Sequence, residues 1–347
     1  MNLRRGVIGW ILMCVSAFML VACSTTQSLQ DQVATVLAEF DLSGSVYVTK
    51  GGVTIFSNGY GMANRELALP NSPVTKFRIG SMTKQFTAMA ILILQDQGAL
   101  SVEDQVGDYI KDAPKAWLPL TIHQLLTHTS GIMHSWALPE FVEAAKAPIT
   151  LDSTLRLFHD QPLLFEPGKG LQYSGTGYFL LAKIIEVVSK KSYAEFLDAE
   201  IFTPLGMKDT GADRPDIVLS NRANGYIRGV DGTVQKAPTI FMPIVTGGGN
   251  LYSTVVDLSR WDRALAQHAL VSEAAYTAMY RPEQQNYAYG WQVSRLNGET
   301  AIYHGGGVPG FNSFILRLLE QDVCVIVLTN MTPGQALQVA QEVYYLF

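Results

Sequence analysis

The run at residues 83–97 constrains this chain most. Phe86, Ala88, Met89, Ala90, Ile91, Leu92, Ile93 and Leu94 leave almost no polar face on a helix, and Gly98 stops it. A helix that is apolar nearly all round has to be buried, so the rest of the chain must wrap it. Directly ahead stands Ile79-Gly80-Ser81-Met82-Thr83-Lys84. Ser81 and Lys84 are three apart, and on a helix such residues share a face with Cβ atoms roughly 5–6 Å apart. A serine needs a base to lose its proton, and a desolvated lysine can supply one. The helix N-terminus adds unpaired N–H groups that favour developing negative charge. A lone Ser-x-x-Lys occurs by chance in most chains and far more often merely starts a helix, so the pair carries weight only in company with other motifs.

The period of the apolar residues gives the remaining organisation. Residues 27–40 read as an amphipathic helix. Residues 43–49 and 53–60 flank Gly51-Gly52 and read as a β-hairpin. The middle reads as helices: a short one from Thr121, then 152–159, 176–189, 193–202 and 257–267. The tail turns to strands at 288–293, 300–304, 312–318 and 323–328, and closes with a helix at 335–345. Strands at both ends with helices between predict an α/β fold. One antiparallel sheet is built from both chain ends and flanked by the terminal helices. A helical lobe is inserted, with a cleft between the two. The expected domain runs over 43–330, with 43–80 and 286–330 in the sheet lobe, 81–285 in the helical lobe, and 331–347 packing on the sheet.

The first 22 residues read as an address. Arg4 and Arg5 precede an uncharged apolar run over residues 7–21, too short for a comfortable membrane span and fitting a signal peptide. The run ends Leu20-Val21-Ala22-Cys23-Ser24, which resembles a bacterial lipoprotein box. The expected product is an exported lipoprotein tethered through Cys23 and residues 23–42. Ser24 after the cysteine resembles the sorting pattern for the periplasmic face of a Gram-negative outer membrane. The chain carries a formal charge of −5 and no basic patch, which argues against a nucleic-acid partner. The third cysteine besides Cys14 and Cys23 is Cys324, inside an apolar run, and reads as a small buried hydrophobe. One such cysteine makes no intrachain disulfide, so stability has to come from the core.

Two further pieces join Ser81-x-x-Lys84. Pro167-Gly168 is followed by Tyr173-Ser174-Gly175 just ahead of a helix, and His304-Gly305-Gly306-Gly307 ends a strand. A tyrosine at such a turn can shuttle protons if a nearby ammonium lowers its pKa. Glycines on an edge let a substrate lie against the backbone. In this order and spacing the three resemble the serine β-lactamase and penicillin-binding protein superfamily. The resemblance is to its class C β-lactamase-like branch, which also holds DD-peptidases, D-amino-acid peptidases and esterases. It covers residues 43–328, with support from 125–131, 165–168, 247–258, Tyr289-Gly290-Trp291 and 304–311.

The resemblance implies acyl transfer through an acyl-enzyme, with no metal and no cofactor. Ser81 would be the nucleophile, Lys84 its base, and Tyr173 the proton shuttle. The N–H groups of Ser81 and Gly307 would form the oxyanion hole, and Gly305, Gly306, Gly175 and His304 would line the substrate site. Two positions depart from the branch. Gly175 stands where asparagine is common, which weakens a β-lactamase or peptidase reading more than an esterase one. His304 stands where lysine is usual. With an ordinary pKa of about 6.5 it would grip a carboxylate less strongly. The expected substrate is a small molecule or peptide, either an ester or a peptidoglycan-type D-peptide. A weak β-lactamase, a non-catalytic cleft-binding lipoprotein and a regulator of cell-wall enzymes are the alternatives. His123, His128 and His134 lack acidic partners for a metal site, and His128 reads as a brace beneath the cleft. Trp136, Trp291 and Phe311 are candidate cleft aromatics, and Asp257 reads as a helix cap.

Overall fold

The computed structural model describes residues 27–347, so the signal segment and Cys23 lie outside the described residues. Its centre is a six-stranded antiparallel sheet. The strand order is Gln292–Leu296, Glu299–Val308, Phe311–Leu318, Val323–Thr329, Gly44–Lys50 and Val53–Tyr60. The predicted union of the two chain ends is a direct pairing, with Val46 opposite Val327 and Val48 opposite Val325. Gly51 and Gly52 turn the first hairpin with φ of 57° and 71°. Two successive positive φ values match the twist of the strands they join, which glycine reaches without strain.

Strand side chains alternate between two buried faces. Val323, Val325 and Val327 face the terminal helices Leu29–Leu37 and Ala336–Tyr344, and join Val33, Leu37, Val339 and Val343 in one core. Cys324, Ile326 and Leu328 face the other way, into the larger core around the helix Thr83–Asp96. Every residue of that helix from Thr83 to Leu94 is buried, Lys84 among them. This is the outcome its apolar circumference demands. The helix Gly175–Ser189 packs beside it, capped by the Ser174 hydroxyl, which accepts from Gly177 N–H at 3.1 Å.

Three local expectations differ from the structure. The strand expected at 288–293 begins only at Gln292, because residues 288–291 form a tight turn in which Ala288 N–H donates to Trp291 O at 2.7 Å. Gly290 in that turn has φ of 75°, and a Cβ there would lie 2.7 Å from Lys84 O. Close packing against the central helix therefore overrides strand propensity. Asp257 does not cap its helix; Thr254 does, accepting from Asp257 N–H at 3.0 Å, while the Asp257 carboxylate holds Asp209 N–H and the Thr210 hydroxyl. Trp291 is fully buried in the core and lines no cleft. Among the described residues no helix is long and apolar enough to cross a membrane.

Candidate active site

Ser81 sits in a single 3-10 turn, Gly80–Met82, at the mouth of the buried helix. Gly80 enters that turn at φ 50°, and a Cβ on it would lie 2.6 Å from Gly307 N. A side chain at either Gly80 or Gly306 would force the turn and the Glu299–Val308 strand apart, since a Cβ on Gly306 would collide with Ile79 O. Ser313 Oγ tightens the junction by donating to Ile79 O at 2.8 Å. Two of the glycines therefore serve contact between protein backbones. Around Gly307, in contrast, the Cβ direction meets nothing within 4 Å. Gly307 is exposed, and the strand is open on that side.

Lys84 Nζ donates to Gly248 O at 2.7 Å and lies 3.2 Å from Ser81 Oγ. Its ammonium also sits over the rings of Tyr173 and Tyr178, 4.8 and 5.3 Å from their centroids. The loop that supplies Gly248 is fastened to the same helix. Thr87 Oγ1 donates to Gly247 O at 2.7 Å, and Leu251 N–H donates to Thr83 Oγ1 at 3.2 Å. Burial removes water from the Lys84 amine and pushes its pKa down to about 7. Near neutrality a large fraction is free amine, 3.2 Å from the Ser81 hydroxyl oxygen.

Tyr173 differs from its expectation. Burial raises its pKa, and the influence of the Ser81 hydroxyl, which lowers it, is the smaller of the two. Tyr173 is a phenol at neutral pH and Lys84 is the group poised to accept a proton. His304 is a clearer correction. Its side chain points into the protein, 5% exposed, with Nδ1 2.6 Å from Gly305 O and Nε2 3.0 Å from the Tyr287 hydroxyl. A carbonyl only accepts, so Nδ1 carries the proton and the neutral Nε2 accepts from Tyr287. Burial, helped by the Lys84 charge, pushes its pKa down to about 3. His304 is a fixed neutral strut and offers no charge to a substrate carboxylate.

At Gly175 a side chain of the kind common in the branch would require the Ser135 hydroxyl to move. A Cβ there would lie 2.7 Å from Ser135 Oγ, and its N–H donates to His134 Nδ1 at 3.0 Å. His128 Nδ1 takes the neighbouring Ser174 N–H at 3.1 Å, and its ring sits 4.4 Å from that of Tyr173 and 4.5 Å from that of Tyr287. His128 and His134 thus order the turn that carries Tyr173, while His123 bonds the Tyr289 hydroxyl at 2.7 Å elsewhere. Gly248, Tyr287 and Ser135 are not singled out by the sequence, and His134 enters there only as a weighed metal ligand. The Gly247-Gly248-Gly249 run was the one visible signal among them.

A sheet from both chain ends, a buried helix with serine at its mouth, and a lysine held between that serine and a carbonyl define the serine-hydrolase fold of β-lactamases and transpeptidases. The family model described as Beta-lactamase matches residues 35–345, and the chain belongs to that family. It is 29% identical to Penicillin-binding protein 4* of Bacillus subtilis (strain 168) over 323 residues, 87% of this chain and 71% of the relative. It is 30% identical to the putative penicillin-binding protein PbpX of the same strain over 327 residues, covering 92% and 79%. The solved penicillin binding protein from Bacillus halodurans superposes with a TM-score of 0.83 at 29% identity, covering 91% of this chain and 99% of that one. A D-amino acid amidase from Ochrobactrum anthropi SV3 shares the fold, with a TM-score of 0.79 at 23% identity, covering 92% and 97%.

Proposed function

We propose that this protein hydrolyses an amide or ester bond through an acyl-enzyme on Ser81. The observation that carries the reading is the Lys84 amine, buried, 3.2 Å from Ser81 Oγ and with its pKa pushed down to about 7. In the reading, Ser81 Oγ bonds to the carbonyl carbon while its proton passes to Lys84. The tetrahedral oxyanion faces the N–H groups of Ser81 and Gly307. Collapse breaks the bond to the leaving amine or alcohol, which takes the proton held by Lys84, either directly or through the Tyr173 phenol with Lys84 returning a proton to Tyr173, so that Lys84 is again a free amine. Water then adds to the acyl carbon, its proton again moving to the amine, and the carboxylic acid leaves as Ser81 recovers its proton. A D-peptide substrate fits the penicillin-binding relatives, whose names make a β-lactam the natural acylating reagent to try.

The test is intact-protein mass after mixing the chain from Ser24 onward with an activated ester or a penicillin, beside Ser81→Ala. An adduct on the unsubstituted protein alone supports the reading, and the faster reagent ranks esterase against penicillin-recognising activity. Absence of both adduct and turnover with either reagent favours a cleft that only binds.

A further inference from the structure

The proposed chemistry needs the Gly307 N–H aimed at an oxyanion, yet Gly305, Gly306 and Gly307 have no side chains to lock their backbone. The ladder pairs Gly306 with Ser313, and a side chain of the same neighbouring strand adds to that hold. Asn312 Nδ2 donates to Gly306 O at 3.2 Å. The peptide between Gly306 and Gly307 is trans and planar, so Gly306 O and Gly307 N–H point in opposite directions from one rigid unit. Holding the carbonyl toward Asn312 therefore holds the N–H away from that strand. Gly307 N lies beside the Ser81 turn, 2.6 Å from where a Cβ on Gly80 would stand. A bond accepted by the carbonyl also polarises the amide and strengthens its N–H as a donor.

Asn312 is itself held in place. Its Oδ1 accepts from Ala336 N–H at 3.0 Å, and its backbone O accepts from Thr329 Oγ1 at 2.9 Å. A backbone N–H only donates, so the side-chain atom facing Ala336 is the oxygen and the amide nitrogen is left for Gly306. Ala336 opens the C-terminal helix, and the residue before it, Gln335, makes no side-chain cap. Asn312 therefore caps that helix from the sheet. Gly334 keeps the approach open, since a Cβ there would collide with the Asn312 side chain. Phe314 and Leu316, which alternate with Asn312 on one face of the strand, share a core with Val339 and Val343 of that helix, whereas Ser313 faces Ile79 on the other side. We infer that Asn312 is a positioning residue for the reaction: it ties the start of the C-terminal helix to the peptide unit that presents the Gly307 N–H to the oxyanion. The inference rests on the acyl-enzyme reading above. Asn312 acts through Gly306 O and not by contact with the reacting atoms.

Asn312→Asp and Asn312→Ala test this in single-turnover acylation by a neutral activated ester. The carboxylate in Asn312→Asp still accepts from Ala336 N–H, and a negative charge suits a helix N-terminus, so the melting temperature should stay near that of the unsubstituted protein. The same change removes the donor and sets an acceptor against Gly306 O. The maximal acylation rate should fall on the order of tenfold, short of the roughly 10²–10³ that loss of an oxyanion donor itself costs. The half-saturating ester concentration should not change, because the charge to be stabilised develops only in the transition state. A boronic acid binds by forming a bond from Ser81 Oγ to boron, giving a tetrahedral anion as the serine proton passes to Lys84. Its affinity should fall by the same factor as the rate. Asn312→Ala loses both side-chain bonds and should combine a similar rate loss with a lower melting temperature. Unchanged acylation in Asn312→Asp overturns the inference. So does a rate loss that follows the melting temperature across the two variants, or one that appears in the half-saturating concentration with the maximal rate intact. In each of these cases the acyl-enzyme reading stands. If the unsubstituted protein is acylated by no ester and binds no boronic acid, that reading has failed and the positioning role falls with it.

Discussion

At the scale of single residues the site is set by which groups are denied water. Lys84 ordinarily holds its proton up to about pH 10.4; burial brings the loss of that proton down to about 7. Acylation of Ser81 should therefore rise with pH through about 7 and then level, because only the free amine can take the hydroxyl proton. Were Tyr173 the base, the rise would lie far higher, since its pKa is raised by burial. Stopped-flow acylation by a neutral activated ester between about pH 5.5 and 9 distinguishes the two. Lys84→Arg keeps a charge at all these pH values and should lose roughly 10²–10⁴ in rate, with no inflection near 7. The Ser-x-x-Lys pair was legible in the sequence because its spacing is local. The carbonyl that holds the amine was not, because Gly248 is 164 residues away from Lys84 in the chain.

At the scale of elements the glycine-rich end of the Glu299–Val308 strand does two jobs that the sequence shows as one. Gly306 faces the Ser81 turn and Gly307 faces open space. Gly306→Ala should force the strand away from Ile79 O, a collision between backbones with no flexible side chain to yield. The expected result is a loss of about 1–3 kcal/mol in stability, the usual cost of overpacking, together with loss of acylation. Gly307→Ala should leave the melting temperature nearly unchanged and slow acylation by bulky reagents more than by small ones. Denaturant unfolding of the two variants, paired with ester acylation, checks both. Equal stability would mean that the turn and strand are not held by this contact. The strand was visible as a β-rich run closing in glycines; the division of labour was not, because it depends on which face of the pleat meets the 3-10 turn. His304 was misjudged for the same reason. Its motif position implied a hand extended to substrate, while the alternation of the strand turns its ring toward Tyr287.

At the scale of the whole molecule the architecture was legible from its ends: two β-rich tails flanking a helical middle have few ways to cover one fully apolar helix. What the pattern could not reveal is how many ionisable groups that covering would bury in neutral form. His304 and His128 are both buried, with His304 brought down to about 3 and His128 well below its ordinary range. Each is a neutral ring that accepts a hydrogen bond, from the Tyr287 hydroxyl and from Ser174 N–H. The unfolded chain binds a proton on each as pH falls through about 6.5, while the folded chain does not until far lower. These residues therefore leave stability intact above about 6.5 and withdraw it as pH drops toward the folded value of about 3. The two together should steepen acid destabilisation by at most about 2.7 kcal/mol per pH unit in that window. Urea midpoints at about pH 7, 6, 5 and 4 should fall accordingly, and Tyr173 should be released with the His128 brace before global unfolding. His304→Gln keeps a neutral hydrogen-bonding side chain that does not titrate, so it should flatten the slope by about half. An unchanged slope in His304→Gln would place the acid sensitivity elsewhere in the fold and dismiss the buried strut as its source.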